Sequence, residues 1–193
     1  MIINVAVAIT GNGGIGLKGG LPWPHLKTDM RLFSKRTTGA GKNAVLMGKN
    51  TWFSIPETRR PLKNRTNIVI SRNQIDLSLC HVFSSTHDAI AYCENLGELW
   101  VIGGSGIYNE FLNTHYDKLH RVYITYVCGD YECDTFINIP NESYFIEEKE
   151  YNSNENCYYL TCLHKMRLSE RIGMELLEDF IKEHDSNNLH IDS

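Results

Sequence analysis

Metal-ligand spacing is missing from this chain. None of its six cysteines pairs in a C-x-x-C, and no two histidines stand at zinc spacing beside them, so no metal is expected. Disulfide frameworks belong to small secreted domains, and a chain of 193 residues is not one. Cys80, Cys93, Cys128, Cys133, Cys157 and Cys162 are therefore expected as free, mostly buried thiols. Blocks of like charge are also missing. With 22% charged residues and a net charge of -4, nothing points to nucleic acid or to a membrane surface. The longest opening apolar run, Ile2 to Ile9, is too short to span a bilayer, has no basic residue before it and no cleavage pattern after it. A cytoplasmic protein is expected. There is no internal repeat, and 42% apolar residues suffice for one compact domain with a sizeable core.

What is present alternates between two periodicities. Ile2–Ile9 is a β-branched run typical of a strand buried on both faces. A Gly/Pro-rich stretch follows from Thr10 to Pro24, then a helical pattern over residues 26–36 with Leu26, Met30 and Phe33 on one stripe and Asp29 beside it. Strands are expected at Ala44–Met47, Asn67–Ser71, Val82–Ser84 and Leu99–Ile102, and helices at Lys49–Ser54, Thr86–Glu94 and Gly104–Leu112. After residue 118 the texture turns β-rich: His120–Val127 and Asn156–Met166 are strands, with one short pairing segment in the turn-rich stretch between. The expected fold is α/β, a mainly parallel eight-stranded mixed sheet with an antiparallel C-terminal edge strand and flanking helices. Residues 1–166 make the domain. In residues 167–193, Ser169–His184 reads as an amphipathic helix, with Ile172, Leu176, Phe180 and Ile181 on one side, and Ser186–Ser193 as a disordered end.

Gly11-Asn12-Gly13-Gly14-Ile15-Gly16 fits G-x-G-x-x-G after a first strand. A dinucleotide fingerprint needs its last glycine to open a helix. Here Leu17-Lys18-Gly19-Gly20-Leu21-Pro22-Trp23-Pro24 follows, which two glycines and two prolines keep from being helical. These glycines are instead expected in a mobile loop at the carboxyl edge of the sheet, where open α/β folds bind ligands. The second cluster, Ile102-Gly103-Gly104-Ser105-Gly106-Ile107-Tyr108, does run from a strand into a helix. It is either a phosphate cradle or a tight strand-to-helix turn, and local sequence leaves both open.

Several blocks in order resemble one family. Gly14-Ile15-Gly16, Gly20-Leu21-Pro22-Trp23-Pro24, Asp29 and Phe33 are similar to the opening of dihydrofolate reductases. Val45-Leu46-Met47-Gly48-Lys49-Asn50-Thr51-Trp52, Ser54-Ile55-Pro56, Arg60-Pro61-Leu62-Lys63-Asn64-Arg65, Ile70-Ser71-Arg72, the glycine turn at 103–106 and Asp134-Thr135-Phe136 continue the series through residues 2–166. The Pro-Trp-Pro insertion looks eukaryotic. The resemblance implies NADPH-dependent hydride transfer to C6 of dihydrofolate with a proton to N5, in a monomer that binds antifolates.

It also implies roles. Asp29 would anchor the pterin through its 2-amino group and N3, with protonation of N5 arriving through water. The bland alternative is an aspartate in the first turn favouring the helix dipole. Thr135 would hold the Asp29 carboxylate, Trp23 would close the pterin pocket, and Tyr108 would face the nicotinamide. Val7, Met30, Phe33, Ile55, Leu62 and Ile102 would wall the substrate, and Arg65 would take its glutamate carboxylate. Ala8, Ile15, Gly16 and Gly20 would border the nicotinamide. Lys49, Asn50 and Thr51 would meet the pyrophosphate and adenosine side, Ser71 and Arg72 the 2′-phosphate. Gly103, Gly104, Ser105, Gly106 and Ile107 would cradle the pyrophosphate, with a cis peptide at Gly103–Gly104.

Three positions depart from the family's usual pattern: Gly20 for an acidic or amide residue, Met30 for Phe or Leu, and Ser85 for a second phosphate-binding arginine in some relatives. Three rival functions fit the sequence less well. A riboflavin- or deazapterin-type reductase should lack the combination of Asp29, Trp23 and Arg65. A fusion to thymidylate synthase would need more chain than follows residue 166, although 167–193 could be a linker remnant. A non-catalytic homologue would have no reason to retain the acid and the phosphate-site groups.

Overall fold

A computed structural model of the chain describes residues 1–73 and 77–166. Its sheet is organised around β1 (Ile3–Thr10), whose Ile3, Val5, Val7 and Ile9 are buried on one face while Asn4, Ala6 and Ala8 lie on the other. The remaining strands are β2 (Gly14–Gly16), β3 (Ala44–Gly48), β4 (Thr66–Ile70), β5 (His81–Phe83), β6 (Leu99–Val101), β7 (Leu119–Val127), β8 (Thr135–Phe136), β9 (Tyr144–Asn152) and β10 (Cys157–His164). The helices are α1 (Lys27–Thr38), α2 (Lys49–Ser54), α3 (Thr86–Tyr92) and α4 (Ser105–Asn113). Eight strands form one sheet in the order β5-β4-β3-β6-β1-β7-β10-β9, and β2 pairs separately with β8. From β5 to β7 every neighbouring pair is parallel. β10 runs antiparallel to both β7 and β9. The mixed, mainly parallel sheet is the expected one, with its antiparallel strand one place in from the edge.

Small side chains on one face of β1 leave room for α1, while the β-branched face packs against α4. That second face holds the larger core, in which Val5, Val7 and Ile9 meet Phe111 and Leu112 of α4 and Ala89 of α3. On the first face Val45, Met47, Val69 and Trp100 pack with Trp52 of α2 and Phe33 of α1. Such two-sided burial is what a continuous apolar parallel strand requires.

Two strands exceed what sequence patterning indicates. The segment between β7 and β10 holds the expected short pairing segment, β8, and in addition the nine-residue β9. Glu148, Lys149 and Glu150 are exposed there, and a charged edge strand carries little apolar alternation to read. The first glycine cluster is a paired element as well as a loop: Gly14 and Gly16 in β2 face Phe136 and Thr135 in β8. Gly13, at φ +83, sits where a Cβ would lie 2.6 Å from the Ile137 carbonyl oxygen, so this close approach admits only glycine. The six cysteines are free, three buried and three partly so. Burial pushes the Cys93 thiol up to about 11. The helix expected at Ser169–His184 and the disordered end expected at Ser186–Ser193 lie outside the described residues.

Candidate active site

The parallel strands end on one cleft of about 1440 Å³. A single drug-sized ligand needs roughly 300–1,000 Å³, so this space admits two molecules side by side. It lies at the carboxyl ends of β1, β3, β4 and β6, the usual ligand edge of an open α/β sheet.

Asp29 enters from the first turn of α1 and is partly buried. Thr125 Oγ1 donates to its Oδ1 at 2.6 Å. Thr125 is brought there by register: it stands opposite Ala8 on the neighbouring strand β7, and so shares the small-residue face that α1 covers. Burial pushes the Asp29 carboxyl above its ordinary value, and the negative charge of Glu155 adds to this. The Thr125 hydroxyl and the charges of Arg36 and His25 act the other way. A carboxylate this desolvated is costly unless it meets a hydrogen-bonding partner.

Thr135 is not the threonine that holds Asp29. Its hydroxyl donates to Asp134 Oδ1 at 2.8 Å, and its backbone is committed to the pairing of β8 with Gly16. It still lines the cleft, on the side of the glycine loop. Its neighbour Asp134 accepts from the Lys18 N–H at 2.6 Å, and the bonds from Lys18 and Thr135 hold that exposed carboxyl below the usual range.

Val7, Met30, Phe33, Ile55, Leu62 and Ile102 all line the cleft, as do Ala6, Arg36, Arg59 and Tyr123, which sequence reasoning missed. The Arg36 guanidinium lies 4.5 Å from the centroid of the Tyr123 ring. Period-two alternation on β7 could have paired Tyr123 with Thr125, although the matching register with β1 is invisible in sequence.

Two residues expected at the site do not line the large cleft. Trp23 is buried among Leu26, Val127, Ala8 and Tyr131, and its Nε1 has no hydrogen-bond partner among the described residues. Arg65 stands outside the large cleft, donating to Thr37 Oγ1 at 2.7 Å and to the Lys63 carbonyl at 3.0 Å. The loop before it is pinned by buried Asn67, which accepts from the Leu62 N–H and donates to the carbonyls of Leu62 and Arg65, each at 2.9 Å.

The other half of the cleft suits a dinucleotide. Ala8, Ile15, Gly16 and Gly20 border it on one side. Lys49, Asn50, Thr51, Ser71 and Arg72, with Gly104, Ser105, Gly106 and Ile107, continue the wall. The Gly103–Gly104 peptide is cis. Gly103 sits at φ +104 with the Tyr108 ring only 2.7 Å from where a Cβ would be. Gly103 donates no wall of its own, but its carbonyl accepts from the Gly48 N–H at 2.7 Å and so joins the starts of α2 and α4. α4 begins after Gly104, which has no side chain to cap it, and a Cβ on Gly106 would enter open space. Uncapped N–H groups, close backbone approach and nearby cations are what a pyrophosphate requires, so these residues fit the group. Tyr108 anchors the turn from behind, its buried hydroxyl donating to the Ala6 carbonyl at 2.8 Å. Burial, and then the charge of Asp29, raise the Tyr108 phenol well above its ordinary value. Ser85 caps α3, accepting from the Asp88 N–H at 3.2 Å.

Comparison with known proteins agrees with this geometry. The family model described as dihydrofolate reductase matches residues 2–167. Among curated proteins, the viral dihydrofolate reductase of Saimiriine herpesvirus 2 (strain 488) is 38% identical over 168 residues, 80% of this chain and 78% of that protein. The dihydrofolate reductase of Drosophila melanogaster is 37% identical over 151 residues, 73% of this chain and 81% of its own. That of Gallus gallus is 38% identical over 146 residues, 69% and 76% respectively.

Proposed function

From the premise that this chain belongs to the dihydrofolate reductase family, we propose how its cleft performs the family's reaction and which residues carry it. The enzyme is an oxidoreductase that reduces dihydrofolate with a nicotinamide cofactor. When bound, the cofactor supplies the hydride delivered to C6 of dihydrofolate. What remains for the protein is orientation and one proton.

Asp29 does the orienting. Its Oδ1 already accepts from Thr125, which leaves Oδ2 and the second lone pair of Oδ1 for the pterin's 2-amino group and N3–H. The carboxylate assists protonation of N5 through water and is not itself the donor to that atom. Met30, Phe33, Ile55 and Leu62 exclude water from the rings. Arg65, pre-set by Thr37, receives the glutamate carboxylate at the outer end. The glycine turn and the start of α4 hold the pyrophosphate, and Tyr108 faces the nicotinamide, its hydroxyl fixed on the Ala6 carbonyl.

The cofactor is NADPH in this reading. Arg72 and Ser71 stand just beyond β4 at the cleft wall, where a guanidinium would pair with a 2′-phosphate. Residues 1–166 form the reductase domain, which acts as a monomer in the cytoplasm and binds antifolates of the diaminopteridine type. No described helix is long and apolar enough to cross a membrane. The observation that carries the proposal is the Asp29–Thr125 pair at the pterin end of a two-ligand cleft. Dihydrofolate-dependent loss of reduced nicotinamide absorbance tests it, with methotrexate as inhibitor. No turnover with either reduced dinucleotide would overturn it.

A further inference from the structure

The first turn of α1, which carries Asp29, is closed by a residue more than a hundred positions away in sequence. α1 follows Leu26, whose side chain cannot accept a hydrogen bond, so its first N–H groups need an outside acceptor. Glu155, in the turn between β9 and β10, supplies it. Its Oε1 accepts from the Thr28 N–H at 2.6 Å, and its Oε2 from the Asp29 N–H at 3.3 Å.

The turn is built to present that carboxylate. The Tyr159 hydroxyl donates to Glu155 Oε2 at 2.9 Å. Asn152 Oδ1 accepts from the N–H groups of Asn154 and Glu155. Asn156 Nδ2 donates to the Cys128 carbonyl at 3.3 Å, fastening the turn to the end of β7. Burial works against the Glu155 charge, but the bonds from Thr28, Tyr159 and Asp29 outweigh it and hold the carboxyl below its usual range.

We propose that Glu155 is a positioning residue for dihydrofolate reduction: it locks the first turn of α1 and sets the field in which Asp29 meets the pterin. The inference rests on Asp29 being the pterin anchor. Around Asp29 stand the Thr125 hydroxyl on β7, Arg36 on α1, His25 before it, the Tyr108 phenol on α4 and the Cys157 thiol on β10. Burial keeps the phenol and the thiol neutral. Glu155 is thus the acidic side chain that acts on Asp29 among the described residues. An ordinary cap would add stability alone. A like charge at the same helix end also biases Asp29 toward its protonated form.

Glu155→Gln separates the two, because the amide keeps an acceptor oxygen and loses the charge. The readout is the pH dependence of methotrexate binding and of the dihydrofolate KM, for the full chain. Both weaken in acid as Asp29 takes up its proton. In Glu155→Gln that bend moves to lower pH. Glu155→Ala moves it the same way, and lowers kcat/KM at neutral pH by about three- to tenfold as the turn loosens. Tyr159→Phe, which keeps the Glu155 charge, leaves the bend in place while lowering the melting temperature. Should Glu155→Ala not fold, Glu155→Gln alone decides. A bend in Glu155→Gln that superimposes on the wild type overturns the inference, whatever happens to stability. If wild-type binding shows no acid bend at all, the Asp29 reading fails first.

Discussion

Thr125 on β7 donates to Asp29 on α1 at 2.6 Å, across 96 positions of sequence. The threonine of the Asp134-Thr135-Phe136 block, ten positions further on, bonds its own neighbour Asp134 instead. Removing the Thr125 hydroxyl strands a buried carboxylate oxygen, which costs about 1–3 kcal/mol. Thr125→Val should therefore lower kcat/KM for dihydrofolate by about tenfold or more. Thr135→Val should change it less than threefold by the same scale. Steady-state kinetics on the pair decide which threonine serves the acid, and equal losses would refute the assignment.

Asp29 is held against its own solvation. Its folded-state pKa is raised, so its stabilising contribution is present below the ordinary aspartate range and is lost as pH rises through the raised value. Asp29→Asn cannot ionise. It should melt higher than wild type at neutral pH, with the gap closing in acid, while kcat falls by roughly 10²- to 10⁴-fold. The kinetic deficit should widen above neutral pH, where protons for N5 are scarce. Melting curves across pH that run parallel for the two proteins would sink the electrostatic part.

Arg72 is exposed at the cleft wall, and Ser85 caps α3 rather than adding a cation beside it. Selectivity for the 2′-phosphate then leans on one guanidinium. Arg72→Ala should weaken NADPH by about 10- to 100-fold, the worth of a charge-assisted bond. NADH binding should barely move. Titration by fluorescence measures both, and equal losses would refute the contact.

Gly103 and Gly106 differ in what a methyl group would meet. At Gly103 it would lie 2.7 Å from the Tyr108 ring, at φ +104. Gly103→Ala should cost about 2 kcal/mol or more in stability. At Gly106 nothing stands within 4 Å, and alanine in a helix is favoured by roughly 0.5–1 kcal/mol. Gly106→Ala should keep or raise the melting temperature yet weaken cofactor binding, because its methyl enters the cradle. Unchanged cofactor affinity would remove α4 from the pyrophosphate site.

The sequence by itself determined the strand–helix alternation. Continuous β-branched runs such as Ile3–Ile9 can only be buried on two faces, and α2 lies at the Lys49–Ser54 bounds its composition indicates. Glycine chemistry was equally legible: one cluster could not enter a helix, and the other did at Ser105. Tertiary structure alone decided partnership. The Ala8–Thr125 register, which hands Asp29 its threonine, depends on β7 pairing with β1. The edge strand β9 is fixed by β10 and not by its own charged residues. Glu155 reaches α1 only because the β9–β10 turn folds over it. Local patterning reports which face of an element is buried, since that is a property of a few neighbouring residues. Which distant hydroxyl or carboxylate satisfies Asp29 depends on strand order and register, and those are set by the packing of the whole sheet.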